Sequence, residues 1–370
     1  MKLLICAGGT GGGIYPALAA VTELQQLGLT PADLLWVGVK GEIEEQIIPR
    51  AGLRLECIAG GGIVGVPRGT AVKNSLKLLW SVGSSLRIMR RFRPDVVMVT
   101  GGYMSVPVVV AAWLRRIPRL VFLPDLEPGT AVRAIGRLVN IVAASFAASA
   151  DYFPYQRQVV GTGYPVRAEL VAASHMAKAD ALATFDLTTE RPTLFVFGGS
   201  RGAQSINRAV LAHLTTYLAH IQVIHVSGQL GWDEVAATAE QLPPELRRYY
   251  RPYPYLHEEM GAGFAAADLI VARGGASMLG EGPLFGTPAI LVPYPYAWRT
   301  QKINADYLVG RGAAVRLEDE LLMAELHTAV LNLLGNKARL AEMSQAAEKL
   351  ANPTAAHTLA ELILDMGRGK

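Results

Sequence analysis

Asp125 and Glu127 stand two residues apart, directly after the apolar run Leu120-Val121-Phe122-Leu123. The carboxyl end of a buried strand is where an open α/β sheet presents groups to a ligand, so either carboxylate is a candidate general base. The plainer alternative is that Asp125 caps the next helix and Glu127 faces solvent. Four glycine-rich turns carry the other candidate groups. Gly8-Gly9-Thr10-Gly11-Gly12-Gly13 follows the run Leu3-Leu4-Ile5-Cys6 and leads into a helical pattern from Ala17. Such a turn can aim backbone N–H groups at an anion or a sugar, and Pro16 suits the first helical turn. Close packing of helix on strand is its purely structural use. Gly101-Gly102-Tyr103-Met104-Ser105 follows Val96-Val97-Met98-Val99-Thr100, and Gly198-Gly199-Ser200-Arg201-Gly202 follows Leu194-Phe195-Val196-Phe197. Finally, Arg273-Gly274-Gly275-Ala276-Ser277 opens a predicted helix whose N-terminus favours a diphosphate. Glu281, read as about two turns into that helix, could accept hydrogen bonds from a ribose diol; a surface ion pair is the alternative. Gln301 and Asn304 are three apart, hence on one helical face, and suit hydroxyl or acetamido groups.

The elements around these groups read as two α/β domains, each opening on a strand, a glycine turn and a helix. A chain of 370 residues exceeds what one hydrophobic core usually serves. The expected division is 1–165 and 166–351, with a last helix at about 352–370 packing back on the first domain. Hydrophobic residues make up 51%, yet no apolar run reaches the ~20 residues of a membrane span. The first apolar run leads straight into a glycine turn without a signal-peptide cleavage site, so it reads as a strand and export is not expected. Cys6 and Cys57 have no metal-ligand spacing, which argues against structural zinc and for a reducing compartment, with both thiols inert in the core. A net charge of +4 permits attraction to phosphates or anionic lipid without choosing between them. A long amphipathic helix is expected from about residue 72 to 92, with Leu76, Leu79, Trp80 and Leu86 among its apolar positions. Either its apolar stripe packs on the sheet, or Ile63, Val64, Val66, Leu79 and Trp80 beside Lys73 and Lys77 form a patch that docks on an anionic bilayer.

Taken in order, these pieces resemble the MurG family of UDP-N-acetylglucosamine transferases (glycosyltransferase family 28) over nearly the whole chain. The likeness rests on the turn at 8–17, on Gly101, Gly102, Tyr103, Ser105 and Pro107, and on Thr162-Gly163-Tyr164-Pro165-Val166-Arg167. Gly198, Gly199, Ser200, Gly202, Ala203 and Asn207 continue it, followed by the run from Gly275 through Glu281 to Gln301 and Asn304. It implies an α/β GT-B fold: two Rossmann-like, doubly wound parallel-sheet domains facing a central cleft. The implied activity is inverting transfer of GlcNAc from UDP-GlcNAc to undecaprenyl-diphosphoryl-MurNAc-pentapeptide at the cytoplasmic face of the bacterial cell membrane. No metal, no other cofactor and no nucleic-acid partner are expected. The donor site would draw on Arg167, Ser200 at the diphosphate, the backbone near His257 at uracil, Ala276, Ser277, Glu281 at ribose and Gln301 at GlcNAc. The acceptor side would draw on Thr10, Gly11, Gly12, Gly13, Gly102, Tyr103 and Ser105.

Three positions depart from the family pattern. Gly13 stands where a histidine is usual, Phe122-Leu123-Pro124-Asp125 replaces a His-Glu-Gln-Asn run, and Thr300 replaces a histidine or glutamine. Three explanations stay open: a base relocated to Asp125 or Glu127, a different polyprenyl-diphosphate or glycolipid acceptor, or binding of UDP-GlcNAc without efficient turnover. A UDP-GlcNAc epimerase, a membrane scaffold and a dinucleotide dehydrogenase are weaker alternatives.

Overall fold

A computed structural model describes residues 1–61, 68–155, 158–199, 202–296 and 299–369, without the side chains of 68, 70–73 and 76. The chain divides into two compact units, Met1–Arg167 with Pro353–Lys370, and Ala168–Asn352. Each is an open sheet with helices on its faces.

In the first unit the strands are β1 (Leu3–Cys6), β2 (Leu34–Val39), β3 (Leu55–Ile58), β4 (Val96–Val99), β5 (Arg119–Leu123), β6 (Ile141–Ala144) and β7 (Val159–Gly161). They pair in the order β3-β2-β1-β4-β5-β6-β7, and every pair is parallel. The runs Leu3-Leu4-Ile5-Cys6 and Val96-Val97-Met98-Val99 are buried on both faces, the pattern a helix-covered parallel sheet demands. The second unit holds β8 (Thr193–Phe197), β9 (Gln222–Val226), β10 (Tyr250–Tyr253), β11 (Leu269–Ala272), β12 (Ala289–Leu291) and β13 (Ala314–Arg316). Their order is β10-β9-β8-β11-β12-β13, again all parallel.

Both sheets reverse their winding beside the first strand, at β1/β4 and at β8/β11. Such a switch point leaves a crevice beyond the strand ends where ligands bind. The four glycine turns of the sequence leave β1, β4, β8 and β11. Topology therefore gathers them in two pairs, one in each unit.

The helix Ala355–Gly367 belongs to the first unit, where Leu359, Ala360 and Ile363 join the core face of helix Gly11–Gln26. His357 Nδ1 meets Glu23 Oε2 at 3.1 Å at its rim. Helix Arg68–Phe92 starts earlier than the sequence suggests and packs through Leu78, Ser81, Ser85, Ile88, Met89 and Phe92. Leu79 and Trp80 are not part of that stripe; they are 70% and 83% exposed. Cys6 is fully buried, but Cys57 is exposed, which corrects the expectation that both thiols lie in the core.

Candidate active site

In the first unit, the turn after β1 is built around a carboxylate that sequence reasoning missed. Glu44 opens helix Glu44–Arg50 and is fully buried. Its Oε2 accepts the N–H of Gly9 at 3.1 Å and its Oε1 accepts the N–H of Val39, at the end of β2, at 3.0 Å. A Cβ on Gly8 would lie 2.4 Å from Glu44 Oε1, and one on Gly38 would lie 2.6 Å from Glu44 Cγ. Both glycines are thus required by the carboxylate. The turn is not a bare ring of donors facing an anion, because Gly9 already serves Glu44. Trp36 Nε1 donates to the Ala7 carbonyl at 2.7 Å and ties the base of the turn to β2.

Thr10, Gly11, Gly12 and Gly13 lead into helix Gly11–Gln26, with Thr10 exposed, Gly11 and Gly12 partly exposed and Gly13 buried. Pro16 is the sixth residue of that helix, one turn deeper than its expected place. After β4, Gly101 and Gly102 take φ of 99° and 77°, values that favour glycine. Tyr103 donates its hydroxyl to Glu42 Oε1 at 3.2 Å, and burial followed by that carboxylate pushes the phenol up to about 12. Ser105 is fully buried and donates back to the Gly101 carbonyl. Two acceptor-side candidates therefore spend their hydroxyls inside the protein.

The segment after β5 is fixed from the β6 side: Ser145 Oγ donates to the Pro124 carbonyl and Ser149 Oγ to the Leu126 carbonyl, each at 2.9 Å. Glu127, 3% exposed, receives Arg133 Nη2 on Oε1 at 2.6 Å. It does not face solvent. Asp125 is half-buried, and it does not cap a helix: the next one, Thr130–Ile135, has Gly129 at its N-cap. Arg167 lies in the first unit, its guanidinium 4.6 Å from the ring centroid of Tyr15.

In the second unit, the described glycines that flank Ser200 and Arg201 after β8 allow close backbone approach. Gly199 and Gly202 take φ of 84° and 80°, and a Cβ on Gly202 would lie 2.0 Å from the Ser227 carbonyl oxygen. Ser200, expected at a diphosphate, falls outside the described residues. Beneath the turn, Asn207 Nδ2 donates to the Ser227 carbonyl at 2.9 Å, so its Oδ1 is the acceptor that meets His225 Nε2 at 3.0 Å. That leaves His225 Nδ1 to accept from the Tyr250 hydroxyl at 2.8 Å. Burial holds the imidazole neutral, with its pKa lowered to about 3. This hydrogen-bonded chain ties helix Gln204–Leu211 to β9 and β10 and is invisible in sequence, because its members lie on three separate elements.

The loop after β11 is braced by Arg273, whose Nη1 pairs with Asp319 and whose Nη2 donates to Ser205 Oγ at 2.9 Å. Ala276 and Ser277 begin a four-residue 3₁₀ turn, Ala276–Leu279, and Glu281 opens the short helix Glu281–Leu284. Glu281 is therefore at a helix start rather than two turns in, and at 7% exposure it does not lie at the surface. Gln301, in helix Thr300–Val309, accepts the Tyr294 N–H on Oε1 at 2.8 Å, which orients its amide. Asn304 is buried and donates to the Gly274 carbonyl at 3.2 Å. A Cβ on Gly274 would lie 2.5 Å from the Gln301 carbonyl, so loop and helix touch here. Asn304 thus fastens the loop to the helix, a use the spacing alone did not reveal. His257 is exposed, with its N–H directed at Glu259 Oε2 at 3.4 Å and its ring 4.6 Å from that of Tyr255.

Residues 3–143 match the glycosyltransferase family 28 N-terminal domain, and residues 193–359 match the family's C-terminal domain. The chain belongs to glycosyltransferase family 28. Family 28 relatives resemble it along almost their whole length. A protein of Roseiflexus sp. strain RS-1 is 36% identical, covering 98% of this chain and 94% of its own, and one of Desulforamulus reducens is 37% identical, covering 96% of each. Both are named UDP-N-acetylglucosamine--N-acetylmuramyl-(pentapeptide) pyrophosphoryl-undecaprenol N-acetylglucosamine transferase. The crystal structure of Acinetobacter baumannii MurG superposes with a TM-score of 0.77 at 25% identity, covering 98% of this chain and 99% of that one. The two-sheet architecture is therefore that of a family 28 glycosyltransferase.

Proposed function

We propose that the chain transfers GlcNAc from UDP-GlcNAc to N-acetylmuramyl-(pentapeptide) pyrophosphoryl-undecaprenol, with inversion at the anomeric carbon. The observation that carries this reading is near-full-length similarity to relatives named for that reaction. The second unit supplies the donor groups: Glu281 at the ribose, the backbone of Ala276 and Ser277 at the diphosphate, the backbone near His257 at uracil and Gln301 at GlcNAc. Ser200 is assigned to the diphosphate with them. The first unit supplies the acceptor groups and the base. As the acceptor hydroxyl oxygen bonds to the anomeric carbon, its proton passes to the Asp125 carboxylate. The bond from that carbon to the UDP oxygen breaks, and the electron pair leaves with the diphosphate. Donors at the strand ends stabilise that developing charge.

The same reading places the chain peripherally on the cytoplasmic face of the membrane. Among the described residues no helix is long and apolar enough to cross a bilayer. Leu79 and Trp80 offer exposed apolar surface beside the exposed Lys77, a combination that partitions into an anionic interface. Ile63, Val64 and Val66, assigned to the same patch, lie outside the described residues, as does the side chain of Lys73.

The donor assignment is tested by titration calorimetry with UDP-GlcNAc and its 2′-deoxyribose analogue. The parent should bind the deoxy analogue about tenfold more weakly, and Glu281→Ala should bind both with one weakened affinity, having lost the discriminating acceptor. Retained discrimination in Glu281→Ala would remove Glu281 from the ribose.

A further inference from the structure

Thr100 follows β4 at the switch point of the first sheet, where its N–H donates to the Cys6 carbonyl at 3.1 Å. The residue is 7% exposed, and its Oγ1 is buried with no hydrogen-bond partner. That hydroxyl points at the first turn of helix Gly11–Gln26: a Cβ on Gly13 would lie 2.9 Å from Thr100 Oγ1 and 3.6 Å from Thr100 Cβ. An orphaned buried hydroxyl destabilises a fold, and valine would fill the same space without that cost. Gly13 matters in the same way. With no side chain there, the hydroxyl lies directly against the helix start, with the Gly8 carbonyl oxygen 4.0 Å from the same Cβ position, and any larger residue would force Thr100 to rotate. A helix of sixteen residues offers unpaired N–H groups and a positive dipole end to an anion, and Thr100 adds a directed donor beside them.

We propose that Thr100 is an acceptor-binding residue whose hydroxyl donates a hydrogen bond to a diphosphate oxygen of the lipid-linked acceptor, seated against the first turn of helix Gly11–Gln26. The inference rests on the transferase reading above and adds to it a residue that sequence patterns did not single out. Because the contact is equally available in the bound ground state and in the transition state, it contributes to acceptor affinity and not to turnover.

The test uses the full chain, with UDP-GlcNAc and a short-chain lipid I analogue, comparing the parent with Thr100→Val and Thr100→Ser and recording thermal unfolding of each without substrate. Thr100→Val should raise the acceptor KM about tenfold or more while kcat and the donor KM hold within about twofold. Thr100→Ser should restore the acceptor KM, and the Tm of Thr100→Val should equal or exceed that of the parent. A parental acceptor KM in Thr100→Val overturns the assignment, as does a lowered Tm, which would show the hydroxyl to be paired within the fold. A parent that transfers nothing to the analogue overturns the transferase reading itself, a result distinct from either.

Discussion

Asp125→Asn is expected to lower kcat for GlcNAc transfer by about 10²- to 10⁴-fold while leaving the affinity for UDP-GlcNAc unchanged. Glu127→Gln is expected to leave kcat within a few-fold of the parent. The difference follows from where each carboxylate sits. Glu127 is 3% exposed and accepts Arg133 on Oε1 at 2.6 Å, so an oxygen that would receive a proton is already committed to a guanidinium. Arg133 keeps a 48% exposed side chain, and losing its partner leaves it water to turn to, so Glu127→Gln should cost only about 1 kcal/mol of stability. Asp125 is half-buried on a segment whose carbonyls are pinned by Ser145 and Ser149, a rigid mount for a group that must meet a hydroxyl at hydrogen-bond distance. The two variants, measured by initial rates at saturating donor, separate base from brace. Equal losses in both, or a loss in Glu127→Gln alone, would remove Asp125 from the base role.

Glu44→Ala is expected to lower the unfolding free energy by about 2 kcal/mol or more, the largest stability change among these variants. The carboxylate accepts two backbone N–H groups, from Gly9 and Val39, and its atoms fill the space that Gly8 and Gly38 leave open. Alanine strands both donors and leaves a void between the first glycine turn and β2. Glu44→Gln should fall between alanine and the parent, since the amide keeps one acceptor oxygen but sets an NH₂ group against the other N–H. Urea unfolding of the three proteins checks the order. A parental midpoint in Glu44→Ala would mean that the turn stands without its carboxylate.

Much of this architecture could be read from the chain because its signals are local. Continuous apolar runs such as Leu3-Leu4-Ile5-Cys6 followed by glycines mark buried parallel strands and the turns after them, and the sheet order then places those turns at the two switch points. What stayed hidden depends on partners remote in sequence. Glu42, Glu44 and Glu45 look alike in a row, yet one accepts Tyr103, one is buried under the glycine turn, and one accepts the Gly41 N–H at 3.0 Å. Only the packing of helix Glu44–Arg50 distinguishes them. Asn304 shares a helical face with Gln301, but its reach to the Gly274 carbonyl turns a candidate sugar contact into a fastening. Glu281 stands at a helix start and not two turns in because the chain makes a 3₁₀ turn at Ala276–Leu279 first, a choice that helix periodicity does not encode. Leu79 and Trp80 look apolar enough for the buried stripe; the stripe instead runs through Leu78, Ser81 and Ser85, where small residues let the helix approach its neighbours.

The central claim is that one chain joins a UDP-sugar to a lipid-linked acceptor. Incubation of the full protein with radiolabelled UDP-GlcNAc and a short-chain lipid I analogue, followed by separation of lipid from nucleotide, tests it most directly. The account predicts label in the lipid fraction, one GlcNAc per acceptor, with an equal amount of UDP released. UDP-GlcNAc bound in calorimetry with no label passing to the lipid would contradict it.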